Sequence, residues 1–490
     1  MSAPAGKLRV AMGDDLTVAD DASRKAYEVI VWGLGETLTR LSPQGRLEPW
    51  LARRVEMVDP LTWRVEIRPG ARFWDGAPVT GAAVAESFAA CWAVQPDADS
   101  LISRGTELRP VGATTLEFRT PEVIGNFPNA LSYPQFVVSR EGGKVMTGPY
   151  RSVACEPGRS LLLEPFAEHW AGPPDIGRIE IDLVEDPFER LECLRDGRYD
   201  LAYGLLPETL DELGPDFEVS SVPSKKLHFI QLNHARQPFD DPVVREAVSL
   251  AVDRERLLRQ VMRGHGAVAH GVFPPYCGVA TVATQHTDVE AARRLLDQNG
   301  WRPGGDGVLA KGARRLEFTL HSFPQRREMT TLAWLVAEDL RKVGIAAGVL
   351  EVPNIVAQTR GGDFEASMRS INSLVTGDPY FLLHAMFAPA GRTNSGRYHN
   401  PLVDEKLAEL RSETDSRRRQ ENSTRIQEIT AADAANVYLL FTAIVLAYRR
   451  GGLPHFEPDF NNEYIIKHRL SVARRTPTAP ALTPGKEHAS

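Results

Sequence analysis

The chain has 490 residues, of which 42% are hydrophobic and 25% are charged, as in an ordinary globular protein. Single hydrophobic cores stop growing near about 250–300 residues, so this length predicts two or three domains. The formal charge of −7 argues against a protein that attracts nucleic acids electrostatically. No stretch approaches the roughly 20 apolar residues that a membrane-spanning helix requires.

Strands and helices alternate along the first half of the chain and are separated by short turns containing Gly or Pro. This alternation is typical of mixed α/β domains. It predicts a strand and an apolar helix within 8–40, strands at 60–70, 114–119 and 176–184, and a helix at 185–196. In the strand at 114–119, Leu116 and Phe118 face one way and Glu117 the other.

The most informative segment is a strand, an acidic turn and a helix between residues 227 and 254. Residues 227–233 are the predicted strand. Asp241 is a natural N-cap, and Pro242 suits the first helical position. Apolar residues then recur at helical spacing from Val244 to Ala251, which predicts a helix with one buried face.

The second half predicts helices at 288–299 and 328–343 and strands at 345–352 and 437–441. We expect the chain to cross between two lobes near 225–235 and again at 437–441. Two crossings form a hinge, because closure then needs few dihedral changes. The tail over 476–490 is rich in Pro, Ala and Thr and is predicted to be disordered.

The segment from Pro238 to Arg254 resembles a signature of family 5 of the extracellular solute-binding proteins, which serve oligopeptide, dipeptide and nickel ABC importers. Further segments resemble motifs of the same family and occur in the family's order. They are FWDGAPVT at 73–80, TGPY at 147–150, HWAGPP at 169–174, DGRYD at 196–200, KVGI at 342–345, GDP at 377–379 and YHNP at 398–401.

The resemblance implies an α/β, two-lobed periplasmic-binding-protein fold (type II, large peptide-binding class) with an extra subdomain in the first lobe. The first lobe would comprise 7–39, 146–230 and the C-terminal return at 441–475. The inserted subdomain would span 40–145 and the second lobe 231–440, with the tail at 476–490.

The implied function is capture of a peptide-like or other small organic ligand by hinge closure, for the permease of an ABC importer. We expect a monomer without cofactor, resident metal or nucleic-acid partner. The chain has no recognisable catalytic motif, so we predict a binding protein and no catalytic residues. The alternative is a cytoplasmic enzyme or accessory biosynthetic protein that reuses the fold.

The start of the sequence leaves the compartment open. Exported proteins begin with a charged and then an apolar region, whereas here Met1–Gly6 leads into a predicted strand at Lys7. If a signal was removed, the protein is periplasmic or extracellular and membrane-anchored. Otherwise it is cytoplasmic.

The resemblance also locates candidate ligand-binding residues. In peptide-binding relatives, an Asp three residues before the acidic residue of the acidic-Pro loop pairs with the ligand's α-ammonium. Here that position is Val375, which favours a modified peptide, an opine-like or sugar-conjugated compound, or another carboxylate-bearing metabolite. The predicted ligand-binding residues are Arg369, Asn372, Ser373, Tyr380, Tyr27, Trp32 and Tyr133.

Among these, Arg369 presents a planar fork suited to a carboxylate or phosphate, although an interlobe or surface ion pair is an equal alternative. His265 and His270 lie five residues apart in a Gly/Ala loop, which we interpret as a structural or solvated loop, with a metal site as the minor alternative. Cys91 and Cys193 lie in apolar helical patterns and are predicted to be buried free thiols. The acidic pairs at 14–15 and 20–21 are interpreted as capping or turn residues.

Overall fold

The computed structural model describes residues 6–13, 26–42, 45–282, 284–453, 456 and 466. The predicted disordered tail and the acidic pairs at 14–15 and 20–21 lie outside these residues. In the described part, the helices are α1 Ala26–Val31, α2 Gly81–Val94, α3 Phe127–Ala130, α4 Pro187–Arg195, α5 Pro242–Ala251, α6 Arg254–Val261, α7 Val289–Gln298, α8 Arg327–Arg341, α9 Ile355–Arg360, α10 Tyr380–Phe387, α11 Pro401–Ser412 and α12 Ser416–Ala432.

The strands of the same residues are β1 Lys7–Met12, β2 Thr39–Leu41, β3 Leu47–Pro49, β4 Ala52–Asp59, β5 Thr62–Ile67, β6 Glu107–Pro110, β7 Thr115–Arg119, β8 Tyr150–Glu156, β9 Ser160–Pro165, β10 Arg178–Leu183, β11 Leu201–Tyr203, β12 Phe217–Leu232, β13 Gly266–Val268, β14 Arg302–Pro303, β15 Leu309–Lys311, β16 Arg314–Arg315, β17 Glu317–Ser322, β18 Ala346–Glu351, β19 Ala366–Asn372 and β20 Asn436–Arg449. The predicted α/β class is confirmed.

Eleven strands form one mixed sheet in the order β18-β17-β19-β12-β20-β11-β1-β10-β9-β8, with β13 also paired to β20. A separate four-stranded antiparallel sheet, β4-β5-β7-β6, lies within the predicted subdomain and packs its own apolar core. On β7, Leu116 and Phe118 are buried in this core as predicted. Glu117 on the other face is also shielded, because Arg64 and Arg109 both hydrogen-bond its carboxylate.

Strands β12 and β20 join the two halves of the large sheet. They pair antiparallel along most of their length, while β11 pairs with the C-terminal part of β20 and β19 with the C-terminal part of β12. The register of the β12–β20 ladder is irregular between Pro223 and Leu227, which marks a place where the sheet can bend. Ile230 and Leu440, which lie within the predicted crossings at 225–235 and 437–441, are both buried in the apolar core of the second half. The domain boundaries themselves remain predictions.

The strand–turn–helix segment folds as its sequence indicates. Asp241 caps α5 by accepting a 2.9 Å hydrogen bond from the amide of Val243, and Pro242 takes the first helical position. Val244 and Ala247 on the apolar face are buried beneath the sheet. The strand before the turn is much longer than predicted, since β12 begins at Phe217 and not at residue 227.

Candidate ligand-binding cavity between the lobes

The carboxyl ends of strands from both halves of the sheet converge on the β12–β20 pair. In the first half, β1, β10 and β11 run parallel, and the last residue of β11, Tyr203, pairs with Leu446 on the hinge side of that strand. In the second half, β17 and β19 run parallel, and β19 ends at Asn372 opposite Lys226. Open α/β sheets bind ligands at the carboxyl ends of their strands, so this convergence locates the candidate site.

A cavity of about 520 Å³ opens at this place, and we call it the interlobe cavity. This volume lies within the range typical of small-molecule sites, about 300–1,000 Å³. The residues that line it come from the first lobe (Glu185, Pro187, Arg190, Tyr203–Glu208), the hinge strands (Lys226, Thr442–Val445) and the second lobe (Gln260–Arg263, Gln325–Glu328, Thr331).

The first-lobe wall is held in place by Arg190 on α4. Its buried guanidinium donates to the carbonyl oxygens of Glu185 at 3.1 Å and Gly204 at 2.8 Å, so it ties together the segments that follow β10 and β11. Gly13, directly after β1, makes room for this group. A β-carbon at position 13 would lie only 2.0 Å from a terminal nitrogen of Arg190.

A buried pair lies where the hinge strand meets the second-lobe wall. Nε2 of His228 on β12 is 3.3 Å from Oε1 of Glu328, in the first turn of α8. Burial lowers the pKa of His228, which keeps the imidazole uncharged. Burial acts to raise the pKa of Glu328, but the close contact with His228 and the charge of Arg326 help to hold it below its usual range. The pair therefore carries one negative charge at neutral pH.

Polar contacts also join segments on either side of this region. The guanidinium of Arg263, just beyond α6, pairs with Asp211 in the turn after β11. Elsewhere, the side-chain amide of Asn129 donates to the carbonyl oxygen of Thr376 at 2.8 Å, and Arg411 on α11 pairs with Glu122. These contacts hold the second lobe against both the first lobe and the subdomain.

The predicted ligand residues on β19 do not share one surface. Side chains alternate along a strand, so Arg369 lies on the face of Ile371 and Asn372 on the face of Met368. Arg369 donates a 2.9 Å hydrogen bond to the hydroxyl of Thr359, and burial lowers its pKa. Ser373 donates to the backbone oxygen of Lys225 at 2.8 Å.

The predicted aromatic residues are mostly packed inside the protein. Tyr380 is buried, and its hydroxyl accepts a 2.9 Å hydrogen bond from Arg411. Tyr133 packs against Phe381, with ring centroids 5.3 Å apart. Trp32 is buried behind the cavity wall, edge-on to Tyr203 at 6.1 Å between centroids. Tyr27 lies in α1, but its side chain is outside the described part.

Six of the seven predicted ligand residues have described side chains, and none of these six lines the interlobe cavity. Sequence reasoning missed its charged lining because it followed the motif around residue 375 and aromatic residues of other segments. The available signal was the position of Glu185 directly after the predicted strand at 176–184, whereas β17, which precedes 325–328, was not predicted. Val375 itself lies in the apolar core of the subdomain with Tyr133 and Phe381, so this position contributes a packing contact.

The two loop histidines have structural partners, as predicted. Nδ1 of His265 lies 2.8 Å from the hydroxyl of Ser221, and Nδ1 of His270 lies 2.7 Å from the carbonyl oxygen of Gln285. Across the described residues, no group of three or more His, Cys, Asp or Glu side chains is arranged to hold a metal ion. Cys91 and Cys193 are buried free thiols, as predicted, and burial raises the pKa of Cys91 to about 12.

Residues 46–394 match the family described as bacterial extracellular solute-binding proteins, family 5 Middle. The chain belongs to this family. The nickel-binding protein NikA of Staphylococcus aureus is 21% identical over 483 residues, covering 94% of this chain and 95% of NikA. The glutathione-binding protein GsiB of Escherichia coli is 26% identical over 471 residues, covering 90% of each chain.

A crystal structure of NikA from Brucella suis in complex with Fe(III)-EDTA matches this fold with a TM-score of 0.85 at 20% identity, covering 96% of this chain and all of that one. The predicted two-lobed periplasmic-binding-protein fold is thereby confirmed. Family 5 proteins bind solutes for ABC importers. No helix in the described part of this chain is both long and apolar enough to cross a bilayer.

Proposed function

We propose that this protein captures a small organic solute in the interlobe cavity and delivers it to the permease of an ABC importer. The observation that carries the proposal is the position of the cavity, which both lobes and both hinge strands line. A ligand there contacts both lobes, so it binds the closed arrangement more tightly and shifts the population toward it.

The charges of the lining favour a ligand that bears an anionic group. Five basic side chains line the cavity, against the carboxylates of Glu185, Glu208 and Glu328. A carboxylate-bearing compound such as a modified peptide or an opine fits this balance. Arg369 lies outside the lining of this cavity and stays a separate predicted anion contact, because within the described part of the chain its guanidinium has a hydroxyl partner and no carboxylate.

We further propose that the protein works outside the cytoplasmic membrane, as expected for a partner of an importer. Cell fractionation with an antibody against the native protein tests this location. Recovery of the protein only in the cytosol would favour a repurposed binding fold.

Ligand-induced thermal stabilisation tests the binding function. The purified protein is heated with dipeptides, glutathione, opines, and Ni(II) mixed with L-histidine, each at several concentrations. A true ligand raises Tm by mass action, and a ligand at 100 times its Kd adds about 2.7 kcal/mol of stability. Absence of any concentration-dependent rise across the panel would contradict the proposal.

A further inference from the structure

The two walls of the interlobe cavity carry opposite charges. The first-lobe wall exposes the carboxylates of Glu185 and Glu208. The second-lobe wall presents the guanidinium groups of Arg326 and Arg327, where the chain enters α8, together with Arg263 and one carboxylate, Glu328. Arg190 also belongs to the first-lobe wall, but its guanidinium bonds backbone carbonyl oxygens.

Of the charges at Glu185, Glu208, Arg326 and Arg327, only that of Arg326 has an ion pair in the described part of the chain, and this pair is long. Among the residues that the structure describes, neither Glu185 nor Glu208 has a cationic partner, and Arg327 has no anionic one. Arg326 reaches a carboxylate only at 3.9 Å, on Glu328. Nearby, Arg263 and Asp211 do pair between the lobes, so the two sides are close enough to meet where their side chains allow it.

The positions of Arg326 and Arg327 at the start of α8 do not stabilise this helix. The N-terminus of a helix carries partial positive charge, so cations there are unfavourable. Arg326 is the N-cap residue of α8 and makes no side-chain capping bond, and Arg327 is the first helical residue. A partner outside the chain would offset this unfavourable placement.

We infer that the ligand is dipolar, with a cationic group bound by Glu185 and Glu208 and an anionic group bound by Arg326 and Arg327. This inference rests on the proposed function. It supplies a carboxylate partner for a ligand ammonium, which Val375 cannot provide because it is apolar and packed in the subdomain core. A desolvated ammonium needs such a partner, since leaving it unpaired costs several kcal/mol.

The arrangement also explains how one molecule can drive closure. Each lobe binds one charged end of the ligand, so neither lobe alone can bind both ends. The ligand therefore has a large difference in affinity between the open and closed states, as closure requires.

The test compares three chemical forms of one compound set by thermal shift and calorimetry. The set contains free dipeptides and opines, the same compounds N-acetylated, and the same compounds with amidated carboxyl groups. We expect the best free compound to bind at least about tenfold more tightly than either blocked form, since each blocked form lacks one charge-assisted contact.

Charge-removing variants then assign the two ends. Glu208→Gln should reduce affinity for the free compound about tenfold and leave the already weak affinity for the N-acetylated form unchanged. Arg327→Gln should likewise reduce affinity for the free compound about tenfold and leave the affinity for the amidated form unchanged. Glu189→Gln and Arg341→Gln are matched controls, because these residues lie on α4 and α8 but do not line the cavity. The controls should bind as the parent protein does.

The outcomes separate this inference from the proposed function. If free and blocked compounds bind equally, or if Glu208→Gln and Arg327→Gln bind as their controls do, the dipolar ligand is wrong and solute binding stands. If no compound in any form binds, the proposed function fails and the inference falls with it.

Discussion

Arg419 holds the carboxylate of Asp378 through two nearly parallel contacts inside the protein. Its Nε lies 3.0 Å from Oδ2 and a terminal nitrogen lies 2.7 Å from Oδ1, and both residues are buried. The other terminal nitrogen donates to the carbonyl oxygens of Leu410 and Glu413, at 2.6 Å and 2.7 Å. The pair therefore fixes the Asp-Pro loop after β19 to the junction of α11 and α12.

Removing one member of this pair should strongly destabilise the protein. Arg419→Met leaves the buried carboxylate of Asp378 without its counterion, so we expect a loss of about 3–5 kcal/mol in the free energy of unfolding. Urea denaturation measures this loss. Arg425→Met is the control, since Arg425 pairs with Glu428 on an exposed face of α12 and should change stability by about 0.5 kcal/mol or less. Equal losses in the two variants would contradict the structural role of the buried pair.

Gly13→Ala should disturb the first-lobe wall of the cavity. The new methyl group would overlap the guanidinium of Arg190, which must then give up hydrogen bonds to backbone carbonyl oxygens. Each such bond from a charged donor is worth about 1.5–3 kcal/mol, so we expect a stability loss of that order and weaker ligand binding. Gly214→Ala serves as the control, because a methyl group there meets no atom within 4 Å. Unchanged stability and affinity in Gly13→Ala would show that neither property depends on the present position of Arg190.

Acid should destabilise the protein partly through His234. Burial lowers the pKa of this imidazole to about 4, and Nε2 lies 3.0 Å from the carbonyl oxygen of Ala435. The unfolded chain, with an ordinary pKa of about 6.5, binds a proton first as pH falls. Titration of His234 therefore leaves the free energy of unfolding unchanged above about pH 6.5 and lowers it progressively as the pH falls to about 4.

Between pH 7 and pH 4.5 this loss amounts to about 2 kcal/mol. The variant His234→Gln removes the titrating group, so its stability should fall less over this interval by that amount. Urea denaturation at the two pH values measures the difference. His399→Gln is the control, because it removes an exposed imidazole beside Asp404. The same pH dependence in all three proteins would mean that His234 is not held neutral by burial.

Arg411 should help to keep the second lobe against the subdomain. It pairs with Glu122 and donates to the hydroxyl of Tyr380 at 2.9 Å, while its backbone oxygen accepts from the amide of Gly125. Arg411→Gln removes the side-chain contacts, so the closed arrangement becomes less populated. A less populated binding-competent state raises the apparent Kd in proportion.

Small-angle scattering should show a larger radius of gyration in the absence of ligand. Calorimetry should show weaker binding of any solute that the thermal panel identifies. Arg417→Gln, at an exposed pair on α12, is the matched control. A radius of gyration equal to that of the control would mean that the Arg411 contacts do not restrain the lobes.

The strand–turn–helix at 227–251 could be predicted because its signals are local. An N-cap aspartate, a proline at the first turn and an apolar repeat act within a few residues of each other, and the structure follows them at Asp241 and Val244. The ordered motifs similarly identified the family. Local signals were insufficient for the first part of β12, because residues 217–226 become a strand by pairing with distant β20.

The sequence by itself determined the family, the α/β class and the helices whose caps and apolar faces lie within a few residues. Only the tertiary structure decided which residues line the candidate binding cavity. Arg369 and Asn372 are close in sequence but point to opposite faces of β19, because strand side chains alternate. Glu185, Glu208 and Arg327 are far apart in sequence but line one cavity, because two long hinge strands bring the carboxyl ends of both lobes' strands together.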